Sequence, residues 1–334
     1  MMPITLRLPA TSANLGPGFD ALGLAMQLYL EVEAREAGDF SIEATGRDAG
    51  LVGSLERNLM VETYRALATA GPALALKIRN GIPLGMGCGS SAAALVAGVM
   101  LANHFGRLGM TADEVVDEAS RREGHPDNVA ACFYGGLTVS SMAMEPTLAA
   151  RGWGTAGEGG GGEGMAMEPT LAARGWGTRR MRVTAATFGA ELGWRLLLAL
   201  PGEGLATTKA RAMLPESYSR GDAVENIQAT ALLVAAFALG RPELLGAGTR
   251  DRIHQPYRSA ACPLLPLLGP LAGREGIYSV TLSGAGPSVL LICDAEQPAS
   301  AQVAAIQAAA GDVDVVETRM AGDGADVLYT KVIC

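Results

Sequence analysis

Two hydrophobic periods run along this chain. Residues 4–8 alternate apolar and polar, as a half-buried strand does, and 28–33, 39–44 and 75–79 read as strands as well. Four more follow at 194–200, 277–282, 289–293 and 313–318, and a further pair, 136–140 and 182–187, flanks a glycine-rich middle. Helical spacing marks 59–67, which Asn58 is placed to cap, and the alanine-rich 298–310. Residues 92–105 begin apolar all round, which predicts a helix buried on several faces, and 223–239 reads as another buried helix. Thr111 to Glu114 spells a capping box ahead of a helix that ends by Gly124. Strands and helices alternate without a strict βαβ rhythm, which predicts an α+β fold.

The pattern converges on residues 81–100, GIPLGMGCGSSAAALVAGVM. Gly85, Gly87 and Gly89 alternate, lead into Ser90 and Ser91, and open the apolar helix. Glycines let backbone N–H groups turn toward one point, and either serine could cap the helix. Its N-terminus, with free donors and a partial positive charge, suits a phosphate. A Walker A loop needs Gly-Lys-Ser/Thr and is excluded, as is a dinucleotide fingerprint. A tight strand-to-helix turn without a ligand is the plainer alternative. Cys88 reads as a small buried thiol with no chemistry attached.

Composition sharpens this picture. The chain is 49% hydrophobic and 18% charged, with a net charge of −8, which argues against a general nucleic-acid binder. Of 26 basic residues only Lys77, Lys209 and Lys331 are lysines, so any anion clamp is built from arginine. The five cysteines are scattered without CxxC spacing, as in reduced cytosolic proteins, and the three histidines offer no zinc constellation. No signal-peptide pattern opens the chain, and apolar runs such as 231–239 fall short of a bilayer span, so a cytoplasmic protein without membrane contact is expected.

Other polar clusters surround the glycine segment. Residues 9–25, PATSANLGPGFDALGLA, are punctuated by Gly16, Pro17 and Gly18 and read as a loop. Asn14 and Asp20 flank its turn and serve either to bind a small polar ligand or to stabilise the turn. In EGHPDNVA the proline breaks a helix, so Glu123, His125, Asp127 and Asn128 are presented on a turn. LATTKAR puts Thr207 and Arg211 one helical turn apart, and DRIHQPYR carries Arg258. SGAGPS, residues 283–288, is another glycine-rich turn between strands.

PLGMGCGSSAA resembles the second signature of the GHMP kinases, with Cys88 where that superfamily usually has leucine. Residues 9–25 and SGAGPS resemble its first and third signatures. EGHPDNVA and DRIHQPYR resemble homoserine kinases in particular. The resemblance implies a two-domain GHMP fold: an N-terminal α+β domain, residues 1–190, with a left-handed βαβ unit, and a ferredoxin-like C-terminal domain, residues 191–334. It implies ATP and Mg²⁺ in a cleft between them, with ATP held by Asn58, Pro83, Gly85, Gly87, Gly89, Ser90 and Ser91, and the metal by Ser91 and Glu123. Asn14, Asp20, His125, Thr207, Arg211 and Arg258 would bind the amino-acid substrate, the two arginines clamping its carboxylate. Asn128, Arg211 and Asp20 would be catalytic; Asn128 stands where mevalonate kinases carry an aspartate base. The implied activity is ATP-dependent phosphorylation of L-homoserine in threonine biosynthesis, by a chain inclined to form homodimers. Another GHMP kinase of mevalonate type, or a non-catalytic sensor on the same fold, is the alternative.

One segment stands apart. MAMEPTLAARGWGT at 142–155 recurs residue for residue at 165–178, joined by AGEGGGGEG. Two copies are too few for a solenoid, and a glycine-rich spacer is flexible coil. Residues 142–180 therefore read as a disordered, duplicated insert between two strands.

Overall fold

The computed structural model describes residues 2–145 and 180–329. Most of the duplicated insert, and its expected disorder, lies outside these residues. Among the described residues the first sheet is built on a long antiparallel hairpin, β1 (Ile4–Asn14) and β2 (Gly18–Ala37). The strand β3 (Ser41–Gly46) is followed by two helices, α1 (Ala49–Val52) and α2 (Leu59–Leu67), that lead to β4 (Ala73–Asn80). β4 is antiparallel to β2 and parallel to β3, which closes a βαβ crossover. Three helices come next: α3 (Ser90–Phe105), α4 (Ala112–Glu123) and α5 (Asp127–Tyr134). β5 (Leu137–Glu145) then pairs with β2, and β6 (Arg180–Phe188) with β5. Met142–Glu145 and Arg180 thus belong to strands, not to the insert, because the β5–β6 ladder runs on to Glu145↔Arg180.

The second sheet holds β7 (Arg195–Leu200), β8 (Ile277–Leu282), β9 (Val289–Cys293) and β10 (Asp314–Arg319), antiparallel in the order β10-β7-β9-β8. Five α-helices, with three short 3₁₀ turns among them, separate β7 from β8: α6 (Thr207–Arg211), α7 (Arg220–Leu239), α8 (Leu245–Gly248), α9 (Gln255–Arg258) and α10 (Leu264–Leu268). α11 (Ala299–Ala310) joins β9 to β10. This is the ferredoxin-like order. Every residue of β7 and β9 is buried, since both faces of these central strands are covered. The chain then returns. β11 (Asp326–Tyr329) pairs with β1, so the division that gave all of 191–334 to the second unit does not hold at its end. The open edge of β1 offers unpaired backbone groups that β11 satisfies.

Residues 9–25, read as a loop, are mostly strand. Ala10 to Ala13 pair with Met26 to Gly23, and register shifts after Pro9 and Ala13 bend the hairpin. The proline and glycines that suggested a loop mark the bulges and the turn instead. α7 is the opposite surprise. Ala229, Leu233, Ala236 and Phe237 form its buried stripe, with Phe237 edge-on to Trp194, while Ile227 and Leu239 stay 68% and 66% exposed. By length and composition alone this helix is long and apolar enough to cross a membrane, although its uninterrupted apolar run at 231–239 is far shorter.

α3 is the buried axis of the first unit, packed between α2 and α4 with ten of its residues buried. The helix α4 begins as its sequence spells: Thr111 accepts from the Glu114 N–H, and Glu114 reaches back to the Thr111 N–H at 2.9 Å. Thr111→Ala should lower the unfolding free energy by about 1 kcal/mol, the usual worth of such a cap. Urea denaturation of the two proteins measures it, and unchanged stability would contradict the cap's role.

Candidate active site

Three turns from distant parts of the chain meet beside the start of α3. Gly85, Gly87 and Gly89 all have positive φ, near 70°. A Cβ on Gly87 would run into the Ser283 carbonyl, and one on Gly89 into the Thr11 side chain. The loop is held by its carbonyls: Leu205 N–H donates to Gly85, the Ser283 hydroxyl to Gly87 at 2.8 Å, and Thr11 N–H to Cys88. Alternating left-handed residues make a nest that suits an anion. Gly89 is the N-cap of α3 and no side chain caps it, so neither serine has the expected capping role. Ser91 Oγ instead donates to Glu123 Oε2 at 2.8 Å. Burial pushes the Glu123 carboxyl above its usual value, opposed by the Ser91 hydrogen bond and the nearby His125 and Arg211. Burial also pushes the Cys88 thiol up to about 12, which leaves it inert.

Glu123 is the last residue of α4, and Asp127 and Asn128 form the first turn of α5 rather than a free turn, because Pro126 stands at its N-cap. Asp127 Oδ1 accepts from the Asn128 N–H at 2.7 Å and faces His125 Nδ1 at 2.6 Å. For His125, burial lowers the pKa, but the Asp127 hydrogen bond and the charges of Asp127, Glu123 and Asp20 outweigh it and raise it overall. Asn128 Oδ1 accepts from the Thr11 hydroxyl at 2.7 Å. The Asn128 acceptor is therefore occupied, and Nδ2, which donates one hydrogen to Asp127 Oδ1 at 3.4 Å, keeps its second hydrogen for a ligand.

Asp20 and Arg211 form a two-pronged ion pair, Nη2–Oδ1 2.6 Å and Nη1–Oδ2 3.0 Å. Arg258 is almost fully buried; its Nε donates to the Ala210 carbonyl at 3.2 Å. Burial, then the neighbouring Arg211, lowers its pKa from the ordinary arginine value. Both guanidinium groups lie over the Phe19 ring, at 5.4 and 5.6 Å. Asn14 spends its side chain within the protein: Nδ2 donates to the Gly284 carbonyl, and Oδ1 accepts from the Asp20 N–H.

A cavity of about 180 Å³ is lined by Asn14, Asp20, Gly85, Gly87, Gly89, Ser90, Ser91, Glu123, His125, Asn128, Arg211 and Arg258. Ser91, Glu123, His125 and Arg211 also line a second, larger cavity of about 580 Å³, which continues along Leu59, Thr63 and Leu95. Two sequence candidates are not brought to either wall. Asn58 caps α2, with Oδ1 accepting from Val61 N–H and Nδ2 donating to the Val52 carbonyl, so its polar atoms are used up. Pro83 is buried. Thr207 opens α6, but its side chain lies outside the described residues. Sequence reasoning passed over Asp127, Thr11 and Phe19. Asp127 stood inside the EGHPDNVA motif, whereas Thr11 touches Asn128 across 117 positions and left no local signal.

The ligand atoms of Asp20, His125 and Asp127 lie within 4.8 Å of one another, as a metal site would need. Arg211 already neutralises Asp20 and Asp127 engages His125, so this cluster is better suited to a polar ligand. Ser91 and Glu123 offer a hydroxyl and a carboxylate, hard oxygen donors that fit Mg²⁺.

The imidazole resonance of His125 should titrate above the ordinary value near 6.5. Asp127→Asn should lower it, because the largest counterweight to burial is lost while the charges of Glu123 and Asp20 remain. A raised folded pKa means that His125 stabilises the fold fully below about pH 6.5 and loses that contribution as pH rises through the folded value. NMR titration checks this, and an unmoved resonance in Asp127→Asn would contradict it.

Residues 58–136 match the GHMP kinases N terminal domain, and residues 233–312 match GHMP kinases C terminal. A homoserine kinase of Solibacter usitatus is 41% identical over 86% of this chain and 84% of its own. One from Clavibacter michiganensis is 38% identical over 86% and 82%. The crystal structure of homoserine kinase from Cytophaga hutchinsonii aligns with a TM-score of 0.73 at 25% identity, over 98% of each chain. At these identities over most of its length, the chain belongs to the homoserine kinase family of the GHMP kinases.

Proposed function

We propose that this protein transfers the γ-phosphoryl group of ATP to the hydroxyl of L-homoserine, giving O-phospho-L-homoserine for threonine biosynthesis. The observation that carries this reading is the meeting of two arginines and an aspartate with a glycine-loop helix start around one small cavity. A zwitterionic amino acid needs a cation for its carboxylate and an anion for its ammonium group, and Arg211, Arg258 and Asp20 supply them. The larger cavity beside Ser91 has room for the nucleoside.

On this reading, backbone N–H groups from Gly85 to Ser91 donate to the phosphates without any lysine. Ser91 and Glu123 would hold Mg²⁺, which when bound would offset the negative charge of the phosphates. Arg258, backed by Phe19, anchors the carboxylate, and Arg211 exchanges Asp20 for that same carboxylate while Asp20 turns to the ammonium group. Asn128 donates its amide hydrogen and has no basic atom to offer, which favours catalysis by alignment. The hydroxyl proton leaves to a phosphate oxygen or to solvent. An aspartate base of the mevalonate-kinase kind has no counterpart at position 128. A cytoplasmic homodimer is part of the same proposal, from the family resemblance.

ADP release with Mg·ATP and L-homoserine, L-threonine, L-serine or mevalonate tests the reading. Turnover selective for L-homoserine is expected, with Arg211→Ala costing about 10- to 100-fold in kcat/KM, the worth of a charged hydrogen bond. Turnover with mevalonate, or none from folded protein, would overturn it.

A further inference from the structure

The DRIHQPYR segment holds more than Arg258. His254 is fully buried and lines neither cavity, yet both ring nitrogens are engaged. Nδ1 lies 3.1 Å from Arg258 Nη1, and Nε2 lies 2.8 Å from the Gly16 carbonyl. A guanidinium can only donate, so Nδ1 must be the bare acceptor and Nε2 must carry the hydrogen. The imidazole is thus a neutral bridge of defined tautomer. One end grips the hairpin turn that presents Phe19 and Asp20, and the other orients Arg258.

We propose that His254, seated against the Leu15–Asp20 turn, is a positioning residue that sets the carboxylate end of the substrate site by offering Arg258 an acceptor at Nδ1. The surroundings fit this role. Asp251, whose Oδ2 is 3.4 Å from Nε2, accepts from the N–H groups of Ile253, His254 and Gln255, and so fixes the backbone around the ring. Gln255 accepts from the Leu282 N–H at 2.7 Å, which ties the same segment to the strand before Ser283. The Phe19 ring packs on the imidazole, with centroids 5.6 Å apart. Asn226 and Thr230 of α7 hold the Pro17 carbonyl, so the turn cannot drift when the ring pulls on it. The charged groups facing His254 are Asp251, Arg258 and, farther off, Asp20; burial is the first cause that lowers its pKa and keeps it neutral. Without the Nδ1 acceptor, a guanidinium N–H is left unpaired in a buried site, and Arg258 must turn to satisfy it.

The inference rests on Arg258 anchoring a carboxylate, and two variants of the full chain separate its parts. In His254→Asn the amide oxygen takes the place of Nδ1 and still accepts from Arg258. In His254→Gln the amide nitrogen takes the place of Nε2 and still donates to Gly16, but Arg258 loses its acceptor. His254→Gln should raise KM for L-homoserine about tenfold, with kcat and KM for ATP within about twofold, while His254→Asn changes the homoserine KM far less. Equal effects of both variants, or a KM for ATP that moves together with that for homoserine, would mean a merely structural role and overturn the proposal. The ring tautomer is read by ¹⁵N NMR with no substrate present. Hydrogen on Nε2 is expected; hydrogen on Nδ1 overturns the bridge whatever the kinetics. Absence of homoserine turnover in the wild-type protein, with the tautomer as expected, would instead sink the assigned reaction.

Discussion

The site depends on the docking of one glycine-rich turn onto another. Ser283 donates to the Gly87 carbonyl, Gly284 N–H donates to the Ala13 carbonyl, and the Asn14 amide donates to the Gly284 carbonyl. These three bonds join the helix-opening loop, the β1–β2 turn and the β8–β9 turn. The loop and the β1–β2 turn belong to the first sheet and its helices, and the β8–β9 turn belongs to the second. The cavity exists because they are pinned together, and the contact is close enough that a single Cβ on Gly87 would collide. Catalysis by alignment requires such rigidity, since small misplacements of reacting groups cost large factors in rate.

Electrostatics follows from the same geometry. The chain is acidic overall, so positive potential has to be assembled locally. Arg211 and Arg258 both lie over Phe19, each beside something that offsets the cost of burying it: Asp20 for Arg211, and the Ala210 carbonyl and His254 for Arg258. A zwitterionic ligand can trade places with the Asp20–Arg211 pair without leaving either charge uncompensated. On the proposed reading, the pair keeps the site balanced until a molecule with both charges arrives.

Elements set by local rules were legible in the sequence. The Thr111 capping box, the 59–67 helix and the 277–282 and 289–293 strands lie where pattern and capping chemistry put them. What failed was decided by distant partners. Residues 9–25 look like loop until β2 supplies the pairing edge. α7 is apolar enough to seem buried, but only one stripe of it is covered, with Phe237 against Trp194. Among the site residues, Ser91 and Glu123 could be paired by motif, whereas Thr11 against Asn128 and His254 against Gly16 are contacts across more than a hundred positions that no local pattern encodes.

The most direct measurement of this account is Gly87→Ala, with binding of Mg·ATP and of L-homoserine each followed by calorimetry. The added methyl group meets the Ser283 carbonyl at a positive φ, so it must part the two docked turns. If the docking builds the site, both affinities fall together in a protein whose circular dichroism is unchanged. A loss confined to ATP would make the loop an independent phosphate cradle and contradict the claim that one contact organises both halves of the site.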